Sequence, residues 1–158
     1  MLERPYVIQV NVGRSRYSHH SALDIAVSSK AAIICIQEPY SYCPQHSQWA
    51  TLVHQHYFSI FNSSTRPRAV TYISKLLPQF SIVHLDPDLV ITRHSLQYSL
   101  RPSFQHSQQQ AFTLVNLYNE RQASSSAPMA YTAERALFYW VPKGPTILLG
   151  DFNTHHTW

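Results

Sequence analysis

Cysteine, glycine and charge are all scarce in this 158-residue chain. The two cysteines, Cys35 and Cys43, cannot build a disulfide framework and do not stand at the C-x2-C spacing of a zinc site. Cys35 sits in the apolar run Ala31–Ile36, where a thiol packs as a small hydrophobe, so a reducing compartment is expected. No apolar run approaches the ~20 residues of a membrane span. The start Met1-Leu2-Glu3-Arg4-Pro5 has no apolar core of a secretory signal. A soluble, intracellular, non-secreted protein that makes no membrane contact is therefore expected. Charged residues make up 13% of the chain, which excludes a disordered acidic or basic tail. The twelve Lys and Arg against eight Asp and Glu leave a net +4 without a basic run, a modest excess compatible with a polyanionic partner.

What the chain does have is bulk: ten Tyr, seven Phe and three Trp, enough to fill a core in a single domain over residues 1–158. Tyr6–Val12 alternates and is β-branched, His19–Lys30 has helical spacing, and Ala31–Ile36 reads as a strand buried on both faces. Strand, helix and buried strand in succession make a βαβ unit and an α/β protein. Tyr57–Asn62, Arg68–Ser74, Phe80–Leu85 and Leu89–His94 are short strands between turn residues. A polar loop is expected over 95–109, a strand over Ala111–Tyr118, a turn over Ser124–Ser126 and a helix over Tyr131–Trp140. The last strand, Thr146–Leu149, opens at Gly150 into Asp151-Phe152-Asn153. Most of the ten histidines read as scattered surface residues.

Two of the eight carboxylates directly follow core strands: Glu38 in Gln37-Glu38-Pro39 and Asp151 in Gly150-Asp151-Phe152-Asn153. Groups just past the carboxyl ends of core strands share the rim where open α/β sheets bind ligands. Asn11, Tyr118 and Asn119 fall at other strand ends, so a cleft collecting Asn11, Glu38, Tyr118, Asn119, Asp151 and Asn153 is expected. These are hard oxygen donors and hydrogen-bonding groups with no thiol, a set suited to Mg²⁺, which takes one or two carboxylates, waters and phosphate oxygens. Each residue alone reads as an ordinary turn or strand end; the ordered combination is what carries meaning. His19-His20 and His54-x-His56 lack the cysteines or H-E-x-x-H context of a zinc site.

The order Gln9-Val10-Asn11 with Arg14 and Ser15, Ile36-Gln37-Glu38-Pro39, Arg68–Ile73, Asn116-Leu117-Tyr118-Asn119 and Gly150–Trp158 resembles the endonuclease/exonuclease/phosphatase superfamily. The QEP form and the GDFN-x-HH-x-W ending are most similar to the apurinic-endonuclease-type domain of fungal non-LTR retrotransposons. The resemblance implies a four-layer α/β sandwich, two facing mixed sheets flanked by helices, and Mg²⁺-dependent nicking of DNA, with Mn²⁺ as a substitute. It implies Glu38 as the main metal ligand with Asn11 beside it, Tyr118 on the scissile phosphate, Asp151 on the attacking water and Asn153 on a phosphate oxygen. Arg14, Arg68, Asn119 and His155 would contact the DNA. A reverse transcriptase would follow in a full-length parent, working in the nucleus. The pattern's later strands and final His and Asp do not follow Trp158, so the expectation is the N-terminal two-thirds of a domain, incomplete and impaired or inactive as a DNA endonuclease. The alternatives are a non-catalytic remnant or nucleic-acid-binding fragment, and a phosphatase or lipid phosphodiesterase of the same fold.

Overall fold

A computed structural model of the chain describes residues 6–77, 79–98, 108–119, 132, 136 and 144–153. It opens with strand β1 (Val7–Asn11), helix α1 (Arg16–Ser28) and strand β2 (Ile33–Gln37), with β1 and β2 paired in parallel. This is the βαβ unit read from the sequence. The helix starts three residues before the expected His19, because capping rather than apolar spacing sets its beginning: Ser15 Oγ accepts the Ser18 N–H at 3.2 Å. It ends with Lys30 at a φ of 57°, whose N–H bonds Val27, while the Ala31 N–H reaches Ala26 at 2.8 Å. That left-handed closure satisfies the last carbonyls and turns the chain directly into β2.

A small hairpin, β3 (Ser41–Tyr42) and β4 (Ala50–Thr51), follows, then β5 (Tyr57–Ile60) and β6 (Ala69–Ser74). Strands β1, β2, β6 and β5 form one mixed sheet in that order. The second mixed sheet contains β7 (Phe80–Leu85), β8 (Leu89–Tyr98), β9 (Gln108–Tyr118) and β10 (Thr146–Asp151), in the order β10-β9-β8-β7. In it β10 runs parallel to β9, and the other pairs are antiparallel. The loop expected over 95–109 is corrected in part. Ser95 to Tyr98 pair with Ala111 to Gln108, because a hairpin ladder bonds through backbone groups whatever the polarity of its side chains. The expected helix over Tyr131–Trp140 lies mostly outside the described residues, although Thr132 and Ala136 both sit in helical turns and are buried.

Every residue of β2 is buried, and its alternation divides the core in two. Ile34 and Ile36, with Val70 and Tyr72 of β6, pack against Leu23 and Ala26 of α1. Ile33, Cys35 and Ile73 face the other way and meet Leu114 of β9 between the two sheets. Burying one such Ile contributes roughly 1.5–3 kcal/mol, so this doubly covered strand anchors both layers. The outer face of the second sheet carries Leu89, Ile91, Val115 and Leu117, with Ala136 packed on them. Facing mixed sheets with helical residues outside are the architecture expected from the sequence.

Two of the histidines are interior, as a surface reading of most of them allows. His94 on β8 is fully buried, stacked 4.9 Å from Phe112, with its Nε2 2.8 Å from Thr92 Oγ1. His19 on α1 is buried edge-on to Tyr72 at 5.5 Å. Burial pushes both imidazoles down from 6.5 to about 4. The unfolded chain therefore binds more protons than the folded one between pH 6.5 and 4. Stability is full above pH 6.5 and drains away across that window, by about 3 kcal/mol per histidine. The urea midpoint should accordingly fall steeply from pH 7 to 4.5, and less steeply in His94→Phe; parallel profiles for the two proteins would contradict this.

Candidate active site

The inward faces of the two sheets change from apolar to polar towards one end of the crevice between them. The first polar level is a chain of amides. Gln9 Nε2 donates to Gln37 Oε1 at 2.6 Å, and Gln37 Nε2 donates to Asn116 Oδ1 at 2.6 Å. Asn116 Nδ2 in turn donates to the Val70 carbonyl at 2.9 Å and to Thr71 Oγ1 at 3.1 Å. Gln37 and Asn116 are fully buried. A buried amide costs free energy unless its groups are paired, and here the pairing runs from one sheet to the other and fixes their separation. None of Gln9, Gln37, Thr71 and Asn116 stood out as a site residue in the sequence. The signal was present as polar residues at inward positions of strands otherwise rich in Ile and Val.

The next level outward is the rim. Because β1 and β2 are in register at Asn11 and Gln37, and β10 and β9 at Asp151 and Tyr118, four strand ends finish together. Asn11 Nδ2 donates to Asp151 Oδ2 at 2.8 Å, joining residues 140 positions apart, while its Oδ1 accepts the Gly13 N–H at 2.9 Å. Tyr118 Oη donates to Glu38 Oε1 at 3.4 Å. Arg14 Nη2 stands 3.4 Å from the same Glu38 oxygen, with half of its side chain exposed. Asn11, Glu38, Tyr118 and Asp151 are thus brought together as expected.

Glu38 owes its position to a sharp departure from β2. Its φ is 46°, a left-handed conformation that costs a non-glycine residue roughly 1–2 kcal/mol. The turn is held by the Glu38 N–H on the Arg68 carbonyl at 2.8 Å and the Arg14 N–H on the Glu38 carbonyl at 2.7 Å. Asp151 is held through both oxygens, since its Oδ1 accepts the Asn153 N–H at 3.1 Å. Tyr118 is half-buried, and its phenol is pushed up by that burial and by the charges of Glu38 and Asp151. It stays protonated, and therefore a donor, at neutral pH.

The remaining expected residues lie one step behind the rim. The Asn119 side chain is buried and donates to the Phe152 carbonyl at 2.8 Å, and Asn153 Nδ2 donates to the Asn119 carbonyl at 2.6 Å. These two asparagines latch the end of β9 to the turn after β10. Arg68 forms a bidentate ion pair with Asp88, and its guanidinium lies 5.7 Å from the Tyr118 ring centroid. Asp88 was not visible as its partner, because the pairing depends on where β8 begins. The paired Arg68 lies against the ring face of Tyr118. His155 lies outside the described residues.

Among the described residues no group of three or more His, Cys, Asp or Glu side chains is placed to hold a metal. Two rim carboxylates, a carboxamide and a phenol are a poor fit for zinc. They do fit Mg²⁺, which binds through one or two carboxylates and keeps its waters.

No protein-family model matches the sequence, and no curated protein matches it. Among solved structures, the chain is similar to the endonuclease domain of TRAS1, a telomere-specific non-LTR retrotransposon, at 20% identity and a TM-score of 0.62. The similarity covers 98% of this chain, which spans 62% of that structure. The chain has the fold of a non-LTR retrotransposon endonuclease domain.

Proposed function

We propose that this chain is a metal-dependent phosphodiester hydrolase that nicks DNA, of the kind that serves a non-LTR retrotransposon in the nucleus beside a reverse transcriptase. The observation that carries the reading is the pair of cross-sheet contacts, Asn11 to Asp151 at 2.8 Å and Tyr118 to Glu38 at 3.4 Å. They gather at one rim four of the residues that the sequence motifs nominate, on a fold shared with a solved endonuclease domain.

Glu38 would hold Mg²⁺ with Asn11 beside it, and the bound ion would neutralise charge developing on the phosphate oxygens. Asp151, fixed by Asn11 and by the Asn153 N–H, orients the attacking water and draws off its proton. Tyr118 stays protonated and donates to the scissile phosphate, its ring steadied by Arg68. Arg14 is exposed enough to meet a flanking phosphate. Among the described residues no histidine bonds Glu38, Tyr118 or Asp151, and with no general acid assigned to the leaving oxygen slow turnover is the proposed behaviour. The test is conversion of supercoiled plasmid to open circles. Slow nicking in Mg²⁺ and none in EDTA supports the reading; DNA binding without turnover would reduce it to a nucleic-acid-binding fold.

A further inference from the structure

A buried helix position facing two strands is filled most cheaply by an aliphatic side chain, which packs without polar atoms to satisfy. At such a position α1 carries His19, whose side chain is fully buried and whose Nε2 has no hydrogen-bond partner among the described residues. Among the described residues its one polar contact is made by Nδ1, which accepts the Tyr40 N–H at 3.2 Å. Tyr40 is the second residue after Glu38, separated from it by the buried Pro39.

The bond completes a set. The Glu38 N–H is held by Arg68, the Glu38 carbonyl by Arg14, and the Tyr40 carbonyl by Thr51 Oγ1 at 2.8 Å. Pro39 has no N–H to donate. With His19 on the Tyr40 N–H, these bonds fix the backbone on both sides of Glu38. A left-handed glutamate persists only where its surroundings over-determine it. The ring itself is fixed edge-on to Tyr72, with an interplanar angle of 78°. Because Nδ1 accepts, the ring proton belongs on Nε2.

We infer that His19 is a positioning residue for the Glu38 metal site, acting through the Tyr40 backbone amide. The inference rests on the proposed reading of Glu38 as a metal ligand. Groups that orient a metal ligand without touching the ion typically change affinity by 10–100-fold. His19 acts through a single backbone bond, so roughly a tenfold effect on affinity is expected.

The test compares His19→Asn, His19→Gln and His19→Leu with the parent chain. Asparagine puts an acceptor where Nδ1 stands, glutamine puts it near Nε2, and leucine has none. Mn²⁺ binding is followed by electron paramagnetic resonance well below each unfolding midpoint, and Tyr40 amide exchange by NMR. His19→Asn should bind Mn²⁺ within about twofold of the parent and keep the Tyr40 amide protected. His19→Gln and His19→Leu should bind roughly tenfold more weakly and expose that amide. Unchanged Mn²⁺ affinity in folded His19→Leu overturns the inference. Should the leucine variant not fold, equal affinities of the Asn and Gln variants overturn it instead. A parent chain that binds no Mn²⁺ sinks the reading of Glu38, while the exchange data still report whether His19 holds Tyr40.

Discussion

Asp151→Asn should slow metal-dependent nicking by about 10²–10⁴-fold with little change in stability, the range lost when a positioned general base is removed. Both carboxylate oxygens already accept, Oδ2 from Asn11 Nδ2 and Oδ1 from the Asn153 N–H. Asparagine offers one oxygen and one amide, so whichever way it turns, a donor faces a donor. The substitution therefore removes the base and also loosens the link between Asn11 and the turn after β10. The side chain is half-exposed, which lets water soften the mismatch and keeps the fold intact. The measurement is single-turnover nicking at saturating Mg²⁺, with circular dichroism as the check on folding. Nicking within threefold of the parent would remove Asp151 from the water-orienting role.

Gly150→Ala should be the most damaging of the small substitutions. A Cβ at this position would run into the Leu117 carbonyl oxygen and come within 2.9 Å of its carbonyl carbon and its Cγ. Both obstacles on the backbone are part of β9, to which β10 is paired with Gly150 opposite Leu117 and Asp151 opposite Tyr118. No rotamer change relieves a clash with a strand backbone, so β10 must move away from β9. Overpacking of this kind costs about 1–3 kcal/mol and sometimes more, a large share of the roughly 5–15 kcal/mol that holds a domain together. The displacement carries Asp151 away from Asn11, so nicking should fall together with the urea midpoint. A midpoint unchanged from the parent would show that β10 has room the structure does not indicate.

The parts of the molecule legible in the sequence were those written as unbroken hydrophobic pattern. Ala31–Ile36 and Thr146–Leu149 both announce strands by composition, but only the first is buried; the expected burial of the second is corrected, since Ile147 and Leu148 of β10 are exposed. A carboxylate just past each apolar run then falls on a rim by topology. The hairpin Ser41–Tyr42 with Ala50–Thr51 was not legible, because two-residue strands have no period to detect. The extension of β8 and β9 into polar sequence was missed because its ladder depends on backbone groups alone. Arg68 could be read as a positive charge near the cleft. Its commitment to Asp88 and Tyr118 is a tertiary fact, set by where β8 and β9 begin and end. His19 and His94 could not be picked out as the interior histidines, since composition treats a histidine the same at any depth. Only the packing of α1 on β6, and of Phe112 beside His94, shows them to be interior.

The whole reading depends on Glu38 serving a divalent cation at a rim that cuts a phosphodiester. The direct measurement is nicking of supercoiled plasmid by the folded chain and by Glu38→Gln, each in Mg²⁺ and in EDTA. Glutamine keeps the shape and can still accept from Tyr118 Oη, but it gives up the charge that binds the ion. Slow nicking that requires Mg²⁺ and is lost in a folded Glu38→Gln is the expected result. Nicking that survives in EDTA, that persists in Glu38→Gln, or that a folded parent chain does not perform at all would contradict it.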